Sequence, residues 1–296
     1  MKKLKRIVVG IDVLSKSSNI LKRAVILAKE NEADLFIVHA VQTPWLSLPG
    51  YFGGKEITVD AKGITKKIEK KIKAVNKDDK VSYTIIVKEG DADDILLYES
   101  KLLKADMIVI GKHTKSKTGE NILGSIAQKV AHKSHLPILI VKNKVKDSYK
   151  NVLAPTDFGV QSKQSILFVK NICPSAKIRA VFAYESFYTA GIYTTGAYPL
   201  ETVENFDIQQ YDKAEKAAAK NNLKEFIKAV GIDGGKVIDG KYDSKKALLK
   251  YIKKNTFDLV VVGSRGTAGF NALLGSVASY VLKEAPTDVL VYVPID

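Results

Sequence analysis

Cysteine occurs once in the 296 residues, at position 173. A single thiol closes no internal disulfide and builds no thiolate metal cluster. No apolar run approaches the roughly 20 residues that cross a bilayer. Lys2, Lys3, Lys5 and Arg6 look like the start of a secretion signal, but Asp12, Ser15 and Lys16 break the apolar stretch behind them. No signal core forms, so the expected compartment is the cytoplasm, with no membrane partner. Several catalytic signatures are missing too. There is no G-x4-G-K-S/T phosphate loop, no H-E-x-x-H, no C-x-x-C and no G-x-S-x-G. No acid and base pair marks out a substrate pocket.

What is present is ordinary for a folded protein: 46% hydrophobic and 27% charged residues. The length suits two domains, each able to bury a core. The net charge is +15, from 47 Lys and Arg against 32 Asp and Glu. Such a balance attracts polyanions without sequence preference. Most of the excess is lysine, and arginine, the better reader of phosphates and bases, is scarce. In Ala61–Val75 the lysines interleave with Ile64, Ile68, Ile72 and Val75, which predicts a helix with one apolar stripe and a solvated lysine face. No specific nucleic-acid partner is expected.

The chain repeats itself. Arg6–Asp12 resembles Asn151–Asp157, each a short apolar strand closed by Asp. Asp106–Gly111 resembles Asp258–Gly263. Gly124-Ser125-Ile126-Ala127 resembles Gly275-Ser276-Val277-Ala278, and Ile138–Val141 resembles Val289–Tyr292. Four landmarks in the same order predict two copies of one unit, 1–145 and 146–296, joined in the polar stretch Lys142–Lys150. In each unit, near-continuous apolar strands alternate with helical patterns such as those from Ser18, at Ala92–Leu103 and at Ile208–Val230. That alternation predicts an α/β fold: two doubly wound, five-stranded parallel sheets. The copies differ most after the second strand. The first has Trp45, Tyr51 and Phe52 there; the second has Phe187, Tyr188, Tyr193 and Tyr198, suited to a ligand cap, an interface or local packing.

Ligands of open parallel sheets bind beyond the carboxyl ends of the strands. The residues there are Asp12 and Gly111 in the first unit, Asp157 and Gly263 in the second. A glycine-containing loop follows each glycine. Gly111-Lys112-His113-Thr114 precedes nine residues and Gly124-Ser125; Gly263-Ser264-Arg265-Gly266 precedes eight residues and Gly275-Ser276. Glycine lets backbone approach a phosphate, and a helix N-terminus offers free N–H groups. Ser125 and Ser276 suit both a helix cap and a phosphate contact.

This G-x-x-G-x9-G-S/T pattern, with Asp closing the first strand, resembles the ATP-binding signature of universal stress proteins, and the duplication resembles that family's two-domain members. The resemblance covers essentially the whole chain. It implies a Rossmann-like fold and ATP or another adenine nucleotide as ligand, with or without magnesium. It implies that Asp12 or Asp157 meets the adenosine part, while the glycine loop and Ser125 or Ser276 hold ribose and phosphates. A backbone group near Val41 or Tyr184 would meet adenine. Both copies depart from the pattern. Thr114 replaces the second glycine of the first copy. The second copy keeps Gly266 but has a loop one residue shorter, and Arg265 adds a cation there. The second copy is the favoured site. The family's dimer pairs last strands, which implies an intramolecular pseudo-dimer here, and a homodimer of chains is also compatible.

Three other readings remain at this level: an interaction module with decayed sites, a slow ATPase, and a polyanion binder resting on net charge alone. His132 and His135 stand at i, i+3 on an expected helix, yet no carboxylate or cysteine completes a metal set, so surface histidines are expected. His113 lies in the glycine loop, at a position resembling one often occupied by His in the family. Cys173 precedes Pro174 without a basic neighbour and reads as an inert thiol.

Overall fold

A computed structural model describes residues 3–13, 17–42, 60–112, 123–185, 208–240, 243–264 and 274–294. The first repeat runs β1 (Arg6–Gly10), α1 (Ser18–Asn31), β2 (Asp34–Val41), α2 (Ala61–Val75), β3 (Tyr83–Glu89), α3 (Ala92–Leu102), β4 (Met107–Gly111), α4 (Ser125–Lys133) and β5 (Ile138–Val141). The second runs β6 (Asn151–Pro155), α5 (Val160–Ile172), β7 (Lys177–Tyr184), α6 (Ile208–Val230), β8 (Gly235–Asp239), α7 (Ser244–Lys254), β9 (Leu259–Gly263), α8 (Ser276–Glu284) and β10 (Asp288–Tyr292).

Local chemistry accounts for the elements. Successive residues of β1 point to opposite faces, and both faces are covered by helices. Ile7 and Val9 therefore join one core layer with Leu21 and Ile68, while Val8 joins the other with Leu96 and Val130. In α2, Ile68 and Ile72 are fully buried, whereas Lys62, Lys66, Lys67, Lys70 and Lys73 are exposed, as the stripe predicts. Its N-cap Asp60 accepts from Gly63 N at 2.8 Å; in α7, Asp243 does the same for Lys246 N. A repeated acid pins the start of each unit. Asp106 accepts from Lys5 N and Arg6 N, and Asp258 accepts from Lys150 N and Asn151 N.

All ten strands form one sheet in the order β3-β2-β1-β4-β5-β10-β9-β6-β7-β8. Neighbours are parallel except β5 and β10, which pair antiparallel with Ile138 opposite Val291 and Ile140 opposite Val289. The last strands of the two repeats thus close each other's edge within one chain, as the pseudo-dimer implies.

Beside the apolar β5–β10 pair, the seam between the repeats carries an asymmetric set of polar contacts. Asp288 accepts from the backbone N–H groups of Lys142 and Asn143 and from the Tyr149 hydroxyl. The Arg23 guanidinium lies 3.6 Å from the centre of the Tyr149 ring and donates to Asp147 O. Lys142 Nζ donates to Leu282 O at 2.6 Å and Ala285 O at 2.8 Å, at the C-terminal end of α8. Burial, aided by the Lys112 charge, pushes Lys142 down to about 8 against the opposing pull of Asp288 and Glu284. Burial likewise pushes the Tyr149 hydroxyl and the Cys173 thiol upward. Among the described residues, no helix is long and apolar enough to cross a membrane.

Candidate functional site

In the second repeat the sheet order turns back at β6, which has β7 on one side and β9 on the other. This is the topological switch point, where side chains beyond the strand ends diverge and leave a crevice. A cavity of about 250 Å³ lies there. Its polar lining comes from Thr156, Asp157, Ser162, Ser244 and Ser276, and its apolar wall from Val181, Phe182, Leu248 and Val262.

The turn after β6 builds one end of it. Asp157 is exposed, and its Oδ1 accepts from Gly159 N at 2.9 Å, which holds the N-cap of α5 in place. Thr156 Oγ1 accepts from Phe158 N and lies 3.0 Å from Ser162 Oγ. Between them Phe158 takes the left-handed conformation, φ 62°, which costs a non-glycine residue energy. Its ring packs on Phe182 and Phe226, with centroids 4.5 and 5.7 Å away. Ring packing offsets the backbone strain of the turn.

The opposite end is the start of α8. Gly275 is the N-cap and Ser276 the first helical residue. The glycine loop is tied at its two stems: Ser264 N donates to Tyr292 O at 2.7 Å, and Gly275 N donates to Ser264 O at 2.7 Å. Gly263 and Gly275 both line the cavity. Arg265, Gly266 and Gly269 lie outside the described residues.

Tyr184 is near the cavity but does not line it. Its carbonyl accepts from Gly240 N at 2.6 Å, and its hydroxyl donates toward Asp212 and Glu215 on α6. Backbone edges alternate along a strand. Val181 O accepts from Thr156 N on the β6 side, so the edge of Ala183 also faces that side, beyond Pro155 where β6 ends. Ala183 is in the lining. Of the backbone groups near Tyr184, the one at this end of the crevice belongs to Ala183.

The first repeat has the same frame. Val41 O accepts from Gly90 N, Gly124 N donates to Lys112 O, and Asp12 closes β1 half-buried. Here Ala40 occupies the place of Ala183. Gly124 is half-buried and Ser125 exposed at the start of α4. A Cβ built on Gly111 would stand 2.6 Å from Ile20 Cδ1 and 3.1 Å from Ile20 Cγ1. His113 and Thr114 lie outside the described residues, as do the aromatic loops after β2 and β7.

His135 follows the end of α4 at Lys133, so it does not share a helix face with His132, and both are exposed. The i, i+3 relation expected from sequence is not formed, because the helix stops before Pro137. No group of three or more metal-ligating side chains is gathered among the described residues. Thr156, Ser162, Ser244 and Phe182 went unread in the sequence. Only Ser162 carried a signal: a serine stands five residues after the strand-end Asp in both copies, Ser17 and Ser162.

Two doubly wound repeats joined edge to edge in one sheet define a class of two-domain α/β proteins. The sequence profile of the universal stress protein family matches residues 3–142 and again 148–293, and the chain belongs to that family. Universal stress protein MJ0531 of Methanocaldococcus jannaschii is 30% identical over 145 residues, covering 48% of this chain and 85% of that protein. Universal stress protein YxiE of Bacillus subtilis is 32% identical over 146 residues, covering 46% of this chain and 98% of that one. Among solved structures, a functionally unknown protein from Pseudomonas aeruginosa PAO1 superposes with a TM-score of 0.71 at 15% identity, covering 99% of this chain and 94% of the other. A universal stress protein from Archaeoglobus fulgidus gives 0.68 at 19% identity, covering 97% of each chain. These likenesses extend to the fold over both repeats.

Proposed function

We propose that the chain is a cytoplasmic stress or signalling protein that binds ATP or another adenine nucleotide in the crevice of its second repeat. The observation that carries this reading is the cavity at the β6–β9 switch point. It joins an apolar wall for a base, hydroxyls and a carboxylate for a ribose, and a glycine-flanked helix N-terminus for phosphates. In this reading Ala183 offers its backbone edge to adenine and Asp157 accepts from ribose hydroxyls. Gly263, Gly275 and Ser276 bring N–H groups and a hydroxyl to the phosphates, where Arg265 and Gly266 belong by sequence position. The chemistry supports binding; hydrolysis of the bound nucleotide would be slow.

The test begins with denaturation of the purified chain and mass spectrometry of whatever small molecule is released, followed by calorimetric titration with ATP. Asp157→Ala is expected to weaken binding at least about tenfold, the loss of one or two polar contacts. Absence of released nucleotide together with no heat on titration would overturn the reading and favour the interaction module.

A further inference from the structure

The stretch that joins the repeats lies against α1 and is held there at three points. Val145 N donates to Asn19 Oδ1 at 3.2 Å, Arg23 donates to Asp147 O at 2.9 Å, and the Arg23 guanidinium stacks on the Tyr149 ring. Val145 and Tyr149 are buried, while Lys146 and Lys150 stay exposed. A groove of about 590 Å³ lies between this stretch, α1 and the end of α2. Lys22, Val25, Ile26 and Lys29 form its α1 side, at the i, i+3, i+4 and i+7 spacing that shares one helix face. Val25 and Ile26, with Val75 of α2, supply its apolar part, and the two lysines flank them along the helix. The helix rise separates Lys22 from Lys29 by about 10 Å. Lys146 and Lys150 line the other side.

The lining holds four lysines and one aspartate. That aspartate, Asp147, stands 3.9 Å from Lys150 with both side chains largely exposed, a pair of little value. Lys29 pairs with Asp78 at 2.6 Å, and its hydrogen bond holds the Asp78 carboxyl below the usual range. Lys22 and Lys146 have no ion pair among the described residues. Like charges gathered along one groove repel, and an anion between them relieves that cost. Lysine meets phosphate as a point charge, without the planar fork that arginine offers. We propose that this groove binds a soluble small molecule with a phosphate group at each of two ends, its body resting on Val25, Ile26 and Val75. The volume is that of a small-molecule site. The joining stretch is tied down before any ligand arrives, which lowers the ordering cost of binding. None of the lining residues is a large exposed apolar side chain of the kind that enters a lipid surface. Counting from the strand-end aspartates, Lys22 and Lys29 correspond to Leu167 and Pro174, so the feature belongs to the junction and not to the repeated unit. The proposal stands apart from the crevice of the second repeat and does not depend on nucleotide binding there.

The experiment is calorimetric titration of the full chain with fructose 1,6-bisphosphate as the probe and inorganic phosphate as the single-phosphate comparison. Two double variants lose the same charge: Lys22→Gln with Lys146→Gln in the groove, and Lys250→Gln with Lys253→Gln, both exposed on α7. Wild type is expected to bind the bisphosphate at least about tenfold more tightly than inorganic phosphate, the value of a second charged contact. The groove variant is expected to bind it at least about tenfold more weakly than wild type, and the α7 variant to match wild type. Glutamine keeps most of each lysine stem, and melting curves establish that both variants fold. No saturable binding of the bisphosphate would overturn the proposal. So would equal affinity for inorganic phosphate, or an equal loss in the two variants, which would mean that net charge alone attracts the probe.

Discussion

The Tyr149 hydroxyl donates to Asp288 Oδ2 at 2.7 Å, tying the stretch between the repeats to the first residue of the last strand. Both residues are about 2% exposed, so water offers the carboxylate no substitute. Tyr149→Phe keeps the ring under Arg23 and removes this bond alone. The expected loss is about 1.5–3 kcal/mol, the usual range for a hydrogen bond to a charged group. Urea denaturation with an unchanged slope is the measurement. A midpoint equal to wild type would mean the bond has no net value.

Lys142 gives the seam a pH dependence. Its folded value, about 8, lies below its ordinary 10.5. Between these two values the unfolded chain holds the proton and the folded chain has released it, so this residue's contribution to stability rises with pH across that window. Below about pH 8 both states are protonated and the contribution is flat. The Tyr149 and Cys173 thiol ionisations push the other way but are common to wild type and Lys142→Met. The difference in stability, wild type minus variant, is therefore expected to rise from pH 8 to pH 10. Denaturation curves at pH 7, 8, 9 and 10 measure it, and a flat difference would contradict the assignment.

The contact between Ile20 and Gly111 can be read without any ligand. Gly111→Ala places a methyl 2.6 Å from Ile20 Cδ1, so the isoleucine must move. The single variant is expected to lower the melting temperature. Ile20→Ala alone also costs stability through lost burial, but in that background Gly111→Ala should cost less than in wild type. A coupling of about 0.5–3 kcal/mol in the double-mutant cycle is expected for side chains in contact. Additive losses would place the two apart.

Cys173 is 3% exposed, and burial holds its thiol well above the ordinary range. It should resist a neutral thiol reagent in the native chain and react at the rate of opening in denaturant. Rapid labelling without denaturant would contradict its position in the core.

The elements were legible where the signal is local. The lysine-faced stripe of Ala61–Val75 became α2 with Ile68 and Ile72 inward, because helical periodicity and burial coincide there. The apolar runs ending at Gly111 and Gly263 became central strands, because parallel strands covered on both faces need no polar alternation. The histidine pair failed for a boundary reason, since α4 ends two residues before His135. One cavity is lined by Asp157, Gly263, Gly275 and Ser276 together. Of the backbone groups near Tyr184, the one that faces the crevice is Ala183's, because edges alternate along a strand and register sets which of them turns that way.

By itself, the sequence determined the duplication, the α/β alternation and the position of the strand-end aspartates and motif glycines, all of which follow from apolar periodicity and short-range turn chemistry. Only the tertiary structure decided that Ile20 lies on Gly111, and that Lys142 of one repeat caps the last helix of the other. These contacts join residues far apart in the chain. Their geometry follows from how helices pack across a shared sheet, which no local pattern encodes.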